Sequence, residues 1–372
     1  NLDGGLFLDS CARLASKLTQ GSFYSDKNDQ GQVYRVQIEN DFQHSYDLLA
    51  DGYAFAEYDA ATSKAKMDEN GNPVLVKAEA SGLMNKDLII VEHTHSVAAD
   101  QEACACGKQF EAGILAAEGG VSYYDTIDSA FAAAHEGDTV TLLKDAELTA
   151  TLDINKAITL DGANHIITGD SSAKESLIKV QTDGDFTLTN CIFAPNTPVN
   201  INNNKVEAGV RTAVYLKIGG TATVTNNTFE GVDNGYYNAI EFGIGDDPSL
   251  KNATISGNTF TKTIKNNYFN FYNMQEEAVI NITNNQFLLA NKSSNGIRIS
   301  NNKNVSATFN LDSNTYTYAA TSEDSEYEGL ILLQDYAGQN AVQDFKKIVI
   351  NITNLTAPED AKQILYVYDD QE

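Results

Sequence analysis

The chain has 372 residues and carries 25 basic against 51 acidic side chains, a formal charge of −26. That excess argues against nucleic acid and anionic membrane surfaces as partners, because both would be repelled. It suits a solvated extracellular protein and permits Ca²⁺ in loops, although no twelve-residue calcium loop occurs. No apolar run reaches the length of a membrane span, and four cysteines (Cys11, Cys104, Cys106, Cys191) are too scattered for a disulfide framework.

Residues 1–91 read as strands. Gly5-Leu6-Phe7-Leu8, Gly21-Ser22-Phe23-Tyr24 and Val33-Tyr34-Arg35-Val36-Gln37-Ile38 look like the last coils of an upstream solenoid module. The turn Asp68-Glu69-Asn70-Gly71-Asn72-Pro73 between two alternating runs predicts a hairpin. A solenoid end exposes an unpaired edge, and this small β segment is expected to cap it. The chain opens inside a pattern, without a signal peptide or wall anchor, so it is read as a monomeric piece of a longer protein.

Residues 92–118 form a linker with His93-Thr94-His95 followed by Cys104-Ala105-Cys106-Gly107. Two imidazoles and two thiols at this spacing are the ligand set of a structural Zn²⁺ site, which leaves no open position for catalysis. Free cysteines in a linker and a Cys104–Cys106 disulfide are the alternatives. No organic cofactor is implied.

A second unit, 119–372, starts with a helical stripe at Ile127, Ala130, Phe131 and Ala134, predicting a helix over 125–136 with Asp125 as N-cap and Gly137 past its end. Strands are expected at 139–143, 150–154 and 157–160. The helix would plug the first coil.

From 186 to 316 the chain repeats itself. Thr187-Leu188-Thr189-Asn190-Cys191-Ile192-Phe193 recurs as Thr223-Val224-Thr225-Asn226-Asn227-Thr228-Phe229 and as Thr254-Ile255-Ser256-Gly257-Asn258-Thr259-Phe260. Two more copies follow, Asn281-Ile282-Thr283-Asn284-Asn285-Gln286-Phe287 and Asn310-Leu311-Asp312-Ser313-Asn314-Thr315-Tyr316. The fifth position falls at 191, 227, 258, 285 and 314, a period that marks a solenoid. A second alternating run accompanies each copy: Ile178-Lys179-Val180, Val214-Tyr215-Leu216, Ile240-Glu241-Phe242, Phe269-Asn270-Phe271, Ile297-Arg298-Ile299 and Leu330-Ile331-Leu332. Two strands per turn of about thirty residues, stacked in parallel, predict an all-β fold, a right-handed parallel β-helix with a short N-terminal capping helix. Asn227, Asn258, Asn285 and Asn314 are expected to form an inward amide ladder, with Phe193, Phe229, Phe260, Phe287 and Tyr316 as an aromatic column. The residue before the ladder is expected in a left-handed conformation, and Cys191 as a buried free thiol.

The same register predicts an outward row of Lys179, Tyr215, Glu241, Asn270, Arg298, Ile331 and Tyr366. Beside it runs a second row of Gln181, Lys217, Gly243, Tyr272, Ser300, Leu333 and Tyr368. Within this strip Lys179, Tyr215, Lys217, Glu241, Asn270, Tyr272 and Arg298 are the candidate ligand-binding residues, tyrosines among amides and charges. For catalysis the candidates are Glu241 with Asp246 or Asp247, since polysaccharide hydrolysis needs paired carboxylates. Asp246-Asp247-Pro248 reads equally as a turn.

The run from Tyr123 through Asp138-Thr139-Val140-Thr141-Leu142-Leu143-Lys144-Asp145 to Ile158-Thr159-Leu160-Asp161-Gly162 resembles the opening of pectate-lyase-like right-handed β-helix modules. Such modules occur in large surface proteins of Gram-positive gut bacteria. The resemblance implies the bacterial cell surface and an adhesive or carbohydrate-recognising role toward a glycan, or toward a host protein such as mucin or immunoglobulin. Some relatives on that fold cleave polysaccharides. An adhesin, a polysaccharide lyase or hydrolase, and a passive stalk are the three readings carried forward.

Overall fold

A computed structural model describes residues 6–8, 36–38, 49, 52–62, 64–77, 87–97, 103–243, 249–289, 295–300, 305–319, 330–334, 347–359 and 363–368. The candidates Asp246 and Asp247, Cys11 and the expected strand 21–24 lie outside these residues. The chain divides into two compact units, Asn1–Phe110 and Glu111–Glu372.

In the first unit Leu6–Leu8 pairs in parallel with Val36–Ile38, thirty residues on, the relation expected of consecutive coils. Val36–Ile38 then pairs antiparallel with Leu88–Glu92, which pairs with Tyr53–Asp59. Phe55, Ala56 and the run Leu88, Ile89, Ile90, Val91 are buried. The 68–73 hairpin forms as expected: Met67 bridges Pro73, and the Asp68 carboxylate accepts from the amides of Asn70 and Asn72. Gly71 takes the positive φ of +80° that this turn requires.

The second unit consists of three parallel walls, visited in turn. Val210–Ile218 lies in an eight-stranded wall, Thr221–Thr225 in a ten-stranded wall and Thr228–Phe229 in a seven-stranded wall, before Tyr236–Phe242 returns to the first. This stack of parallel strands is that of an all-β parallel solenoid, with three strands per turn rather than the expected two. The repeated seven-residue phrase hides the third strand. Its Asn corner separates Thr223-Val224-Thr225 on one wall from Thr228-Phe229 on the next, and a two-residue strand shows no alternation of its own.

One coil buries too few apolar groups to hold itself, so stacking supplies the rest. Val224, Phe229, Ile240 and Phe242 all enter one continuous core. At the corner the amide ladder is built as expected. Asn227 Nδ2 donates to Asn258 Oδ1 (3.0 Å), Asn258 to Asn285 (2.9 Å) and Asn285 to Asn314 (3.0 Å). Each amide also satisfies a backbone N–H or carbonyl of the coil before it, as Asn258 does for Asn227 N and Val224 O. The residues before the ladder, Asn226, Gly257, Asn284 and Ser313, sit at φ of +56° to +67°. Gly257 has a steric reason as well, because a Cβ there would lie 2.6 Å from Asn226 Oδ1. Cys191 takes the ladder position as a buried free thiol. Beside the ladder the rings of Phe193, Phe229, Phe260, Phe287 and Tyr316 stack at centroid spacings of 4.5 to 5.5 Å.

The helix runs Ile127–Ala133, shorter than 125–136, and its N-cap is Thr126, not Asp125. Thr126 Oγ1 accepts from Ser129 N, while Glu111 Oε2 accepts from Ile127 N at 2.6 Å. A glutamate just before an earlier strand thus completes the cap, which local pattern does not reveal. At the other end Lys156 Nζ donates to the carbonyls of Phe131, Ala132 and Ala134. Ile127, Ala130 and Phe131 pack into the core. An antiparallel hairpin, Ala112–Leu115 with Val121–Tyr124, joins the ten-stranded wall beside Thr139–Leu142 and covers that edge. At the far end Leu365 and Val367, inward by register, are 41% and 52% exposed, so the last described rung of the eight-stranded wall is open.

Candidate recognition face and His/Cys cluster

The eight-stranded wall brings the proposed row into line. Lys179 pairs with Tyr215, Tyr215 with Glu241, Glu241 with Asn270 and Asn270 with Arg298. Beyond Arg298 the register differs by one residue from the expected row. Leu332, not Ile331, stands beside Arg298, and Gln334, not Leu333, stands beside Tyr368. Ile331 and Leu333 instead fill the core. Leu330-Ile331-Leu332-Leu333 is apolar throughout, so no alternation marks its parity, and a slip of one exchanges the faces.

The middle of the row is far less open than alternation alone implies. Asn270 is 0% exposed, Glu241 5% and Arg298 7%, whereas Lys179, Tyr215 and Lys217 remain half-buried. These side chains are knit together. Asn270 Nδ2 donates to the Tyr272 hydroxyl at 2.8 Å, and the Arg298 guanidinium lies 5.9 Å from the centre of the Tyr272 ring. The Asn238 amide donates to Glu241 Oε1. Burial pushes the Glu241 carboxyl up to about 7, against the opposing pull of the Asn238 amide, the Arg211 and Arg298 charges and the Thr212 hydroxyl. Asn270 Oδ1 and Ser300 Oγ, both fully buried, have no hydrogen-bond partner. By contrast, the outer face of the ten-stranded wall is mostly threonine, serine and asparagine, half-buried to exposed, with Asp161, Asp312, Val279 and Val349 among them.

A second polar row was not anticipated. Asn238, Asn267 and Asn295 occupy consecutive coils, and Asn238 Oδ1 accepts from the Asn267 amide and from Asn266 Nδ2. A signal existed, since an asparagine precedes Glu241, Asn270 and Arg298 by three residues each time. A three-residue offset falls outside the even spacings of strand alternation.

In the first unit, His93, His95, Cys104 and Cys106 converge as their spacing predicts. One ligand atom from each lies within 4.8 Å of every other. His93 Nε2 is 3.1 Å from Cys104 Sγ and His95 Nδ1 is 3.5 Å from Cys106 Sγ. A tetrahedral ion bound at about 2.0–2.3 Å needs its ligands roughly 3.3–3.8 Å apart, so only small adjustments close the site. Strand pairing aims the histidines: His93 N donates to Gly52 O directly after Leu88–Glu92. A tight turn aims the cysteines, with Gly107 N donating to Cys104 O and Gly107 at φ +89°. Both thiols are buried and unoxidised. Burial holds the His93 imidazolium pKa below its usual value, which favours the neutral ring that a metal takes. The cluster can therefore bind a metal ion. Cys104 with His93 also has the spacing of a nucleophile and its base. A sealed thiol beside a second Cys–His pair gives such a dyad neither access nor need.

No protein-family model matches the chain, and no curated protein and no solved structure is significantly similar to it. The class the geometry defines is a mostly β protein of parallel walls with a His/Cys cluster in a separate small unit.

Proposed function

We propose that this chain is a non-enzymatic binding segment of a bacterial surface protein, a right-handed parallel β-helix that presents its eight-stranded wall to a glycan or a host protein. The observation that carries this reading is the in-register row from Lys179 to Arg298, in which the half-buried Lys179, Tyr215 and neighbouring Lys217 offer two cations and an aromatic ring beside a buried polar layer of Glu241, Asn270 and Arg298. Recognition surfaces combine such groups. For the His/Cys cluster we propose Zn²⁺, because two thiolates and two imidazoles form its preferred tetrahedral set. Binding is tested with a glycan array and with pull-downs on mucin and immunoglobulin. Wild type is expected to retain at least one ligand, and Tyr215→Ala with Lys217→Ala to weaken it by about tenfold or more. A wild-type chain that retains nothing would leave the passive stalk.

Polysaccharide cleavage stands as a second reading on one observation: the Glu241 carboxyl, raised to about 7, is suited to serve as a general acid near neutrality. The reading also needs Asp246 or Asp247 as the partner carboxylate. Reducing-end and unsaturated-product assays on pectins and host glycans decide it. Activity that disappears in Glu241→Gln would establish it.

A further inference from the structure

The turn that carries the two cysteines is short. Its backbone bonds include Cys104 N to Lys108 O and Gly107 N to Cys104 O, closed by one bridge between Ala103 and Gln109. A two-stranded element this short is marginal in water. Side chains tie it to the segment that follows the strand ending at Glu92, through the two Cys–His pairs and the edge-to-face packing of Phe110 on His95 at 5.2 Å. Lys108 Nζ lies over the Phe110 ring, 4.7 Å from its centre. Two buried thiols beside two imidazoles are weak hydrogen-bond partners when neutral, yet they become four strong ligands once an ion replaces the thiol protons. The sequence between His95 and Cys104 is polar and alanine-rich.

We propose that the ion held by His93, His95, Cys104 and Cys106 acts as the folding staple of the Asn1–Phe110 unit. On loading, the 103–110 turn is ordered against the strand end at His93 and the two thiols are withdrawn from solvent. The solenoid unit, with its own continuous core, is indifferent to the ion. This inference rests on the Zn²⁺ reading of the cluster and adds that folding of one unit depends on it. Binding exchanges the two thiol protons for the ion, with no oxidation or reduction, so affinity rises with pH.

The test uses the intact 372-residue chain. Metal content is measured on protein purified without added chelator, then hydrogen exchange is compared before and after treatment with EDTA. One zinc per chain is expected. After its removal, exchange in peptides covering 87–97 and 103–110 should rise about tenfold or more, while 253–256 changes less than about twofold. Readdition of Zn²⁺, but not Mg²⁺, should restore protection, and Ellman's reagent should titrate Cys104 and Cys106 only in the stripped chain. Zinc that is present but whose removal leaves exchange unchanged overturns the staple and spares the Zn²⁺ reading. A chain that holds no zinc, even when offered it, overturns both. Equal loosening of both units overturns the selectivity for the first. Cys106→Ser is a second route to the same comparison and should reproduce the stripped state without chelator.

Discussion

At the scale of single residues, Glu241 is the most informative side chain. It sits among polar neighbours on the outer face of the eight-stranded wall, yet burial is the largest influence on it and raises its carboxyl to about 7. An acid whose folded pKa lies above its unfolded value binds its proton more tightly when folded. Its contribution to stability is therefore present below pH 4.5 and is lost as pH climbs toward 7. Across that window wild type should lose up to about 3 kcal/mol that Glu241→Gln retains, read as the difference between their urea midpoints. Taking the difference matters, because the depressed pKa of His93 works in the opposite direction over part of the same range. A Glu241→Gln profile parallel to that of wild type would mean that water reaches this carboxylate.

At the scale of elements, the Asn corner shows why a repeat in sequence becomes a column in space. Each ladder amide holds a backbone N–H and a carbonyl of the coil before it, so its loss strands two groups at once. Asn258→Ala would leave Asn227 N and Val224 O without their partners. At roughly 1–3 kcal/mol for each orphaned group, the expected loss is about 2–5 kcal/mol in chemical denaturation. Asn310 lies on the outer face of the ten-stranded wall, where solvent can replace its bonds to Asn281 and Asn351. Asn310→Ala should cost well under half as much, and equal losses would show that the ladder carries no special weight. The helix illustrates the opposite case: Glu111, just before one strand, and Lys156, between two others, satisfy its two ends, and neither lies in its own stretch of chain.

At the scale of the molecule, the second unit has unequal ends. The 112–124 hairpin extends the ten-stranded wall at one end, and the 127–133 helix packs into the core there. At the other, Ile352, Leu365 and Val367 are exposed although register places them inward. In a stack where each rung leans on two neighbours, the rung with one neighbour opens first. Amide exchange should therefore be fastest in 348–353 and 365–368 and slowest in the middle rungs around 253–256 and 280–283. A profile without that gradient would mean that something covers the open rung in solution.

What the sequence determined by itself was whatever repeats. A recurring corner must place Asn above Asn and Phe above Phe, because stacked parallel strands keep their register; this made the ladder, the aromatic column, the left-handed residues and the polar row from Lys179 to Arg298 legible. The His/Cys cluster was legible for a related reason, since two close pairs of ligands restrict one another's reach. Tertiary structure alone decided the features with no period of their own. A two-residue strand has no alternation, so the third wall was hidden. Four consecutive apolar residues at 330–333 carry no parity, so their register had to come from the rung beneath. Burial of Glu241, Asn270 and Arg298 depends on what lies over the outer face of a strand, and alternation reports only which face that is.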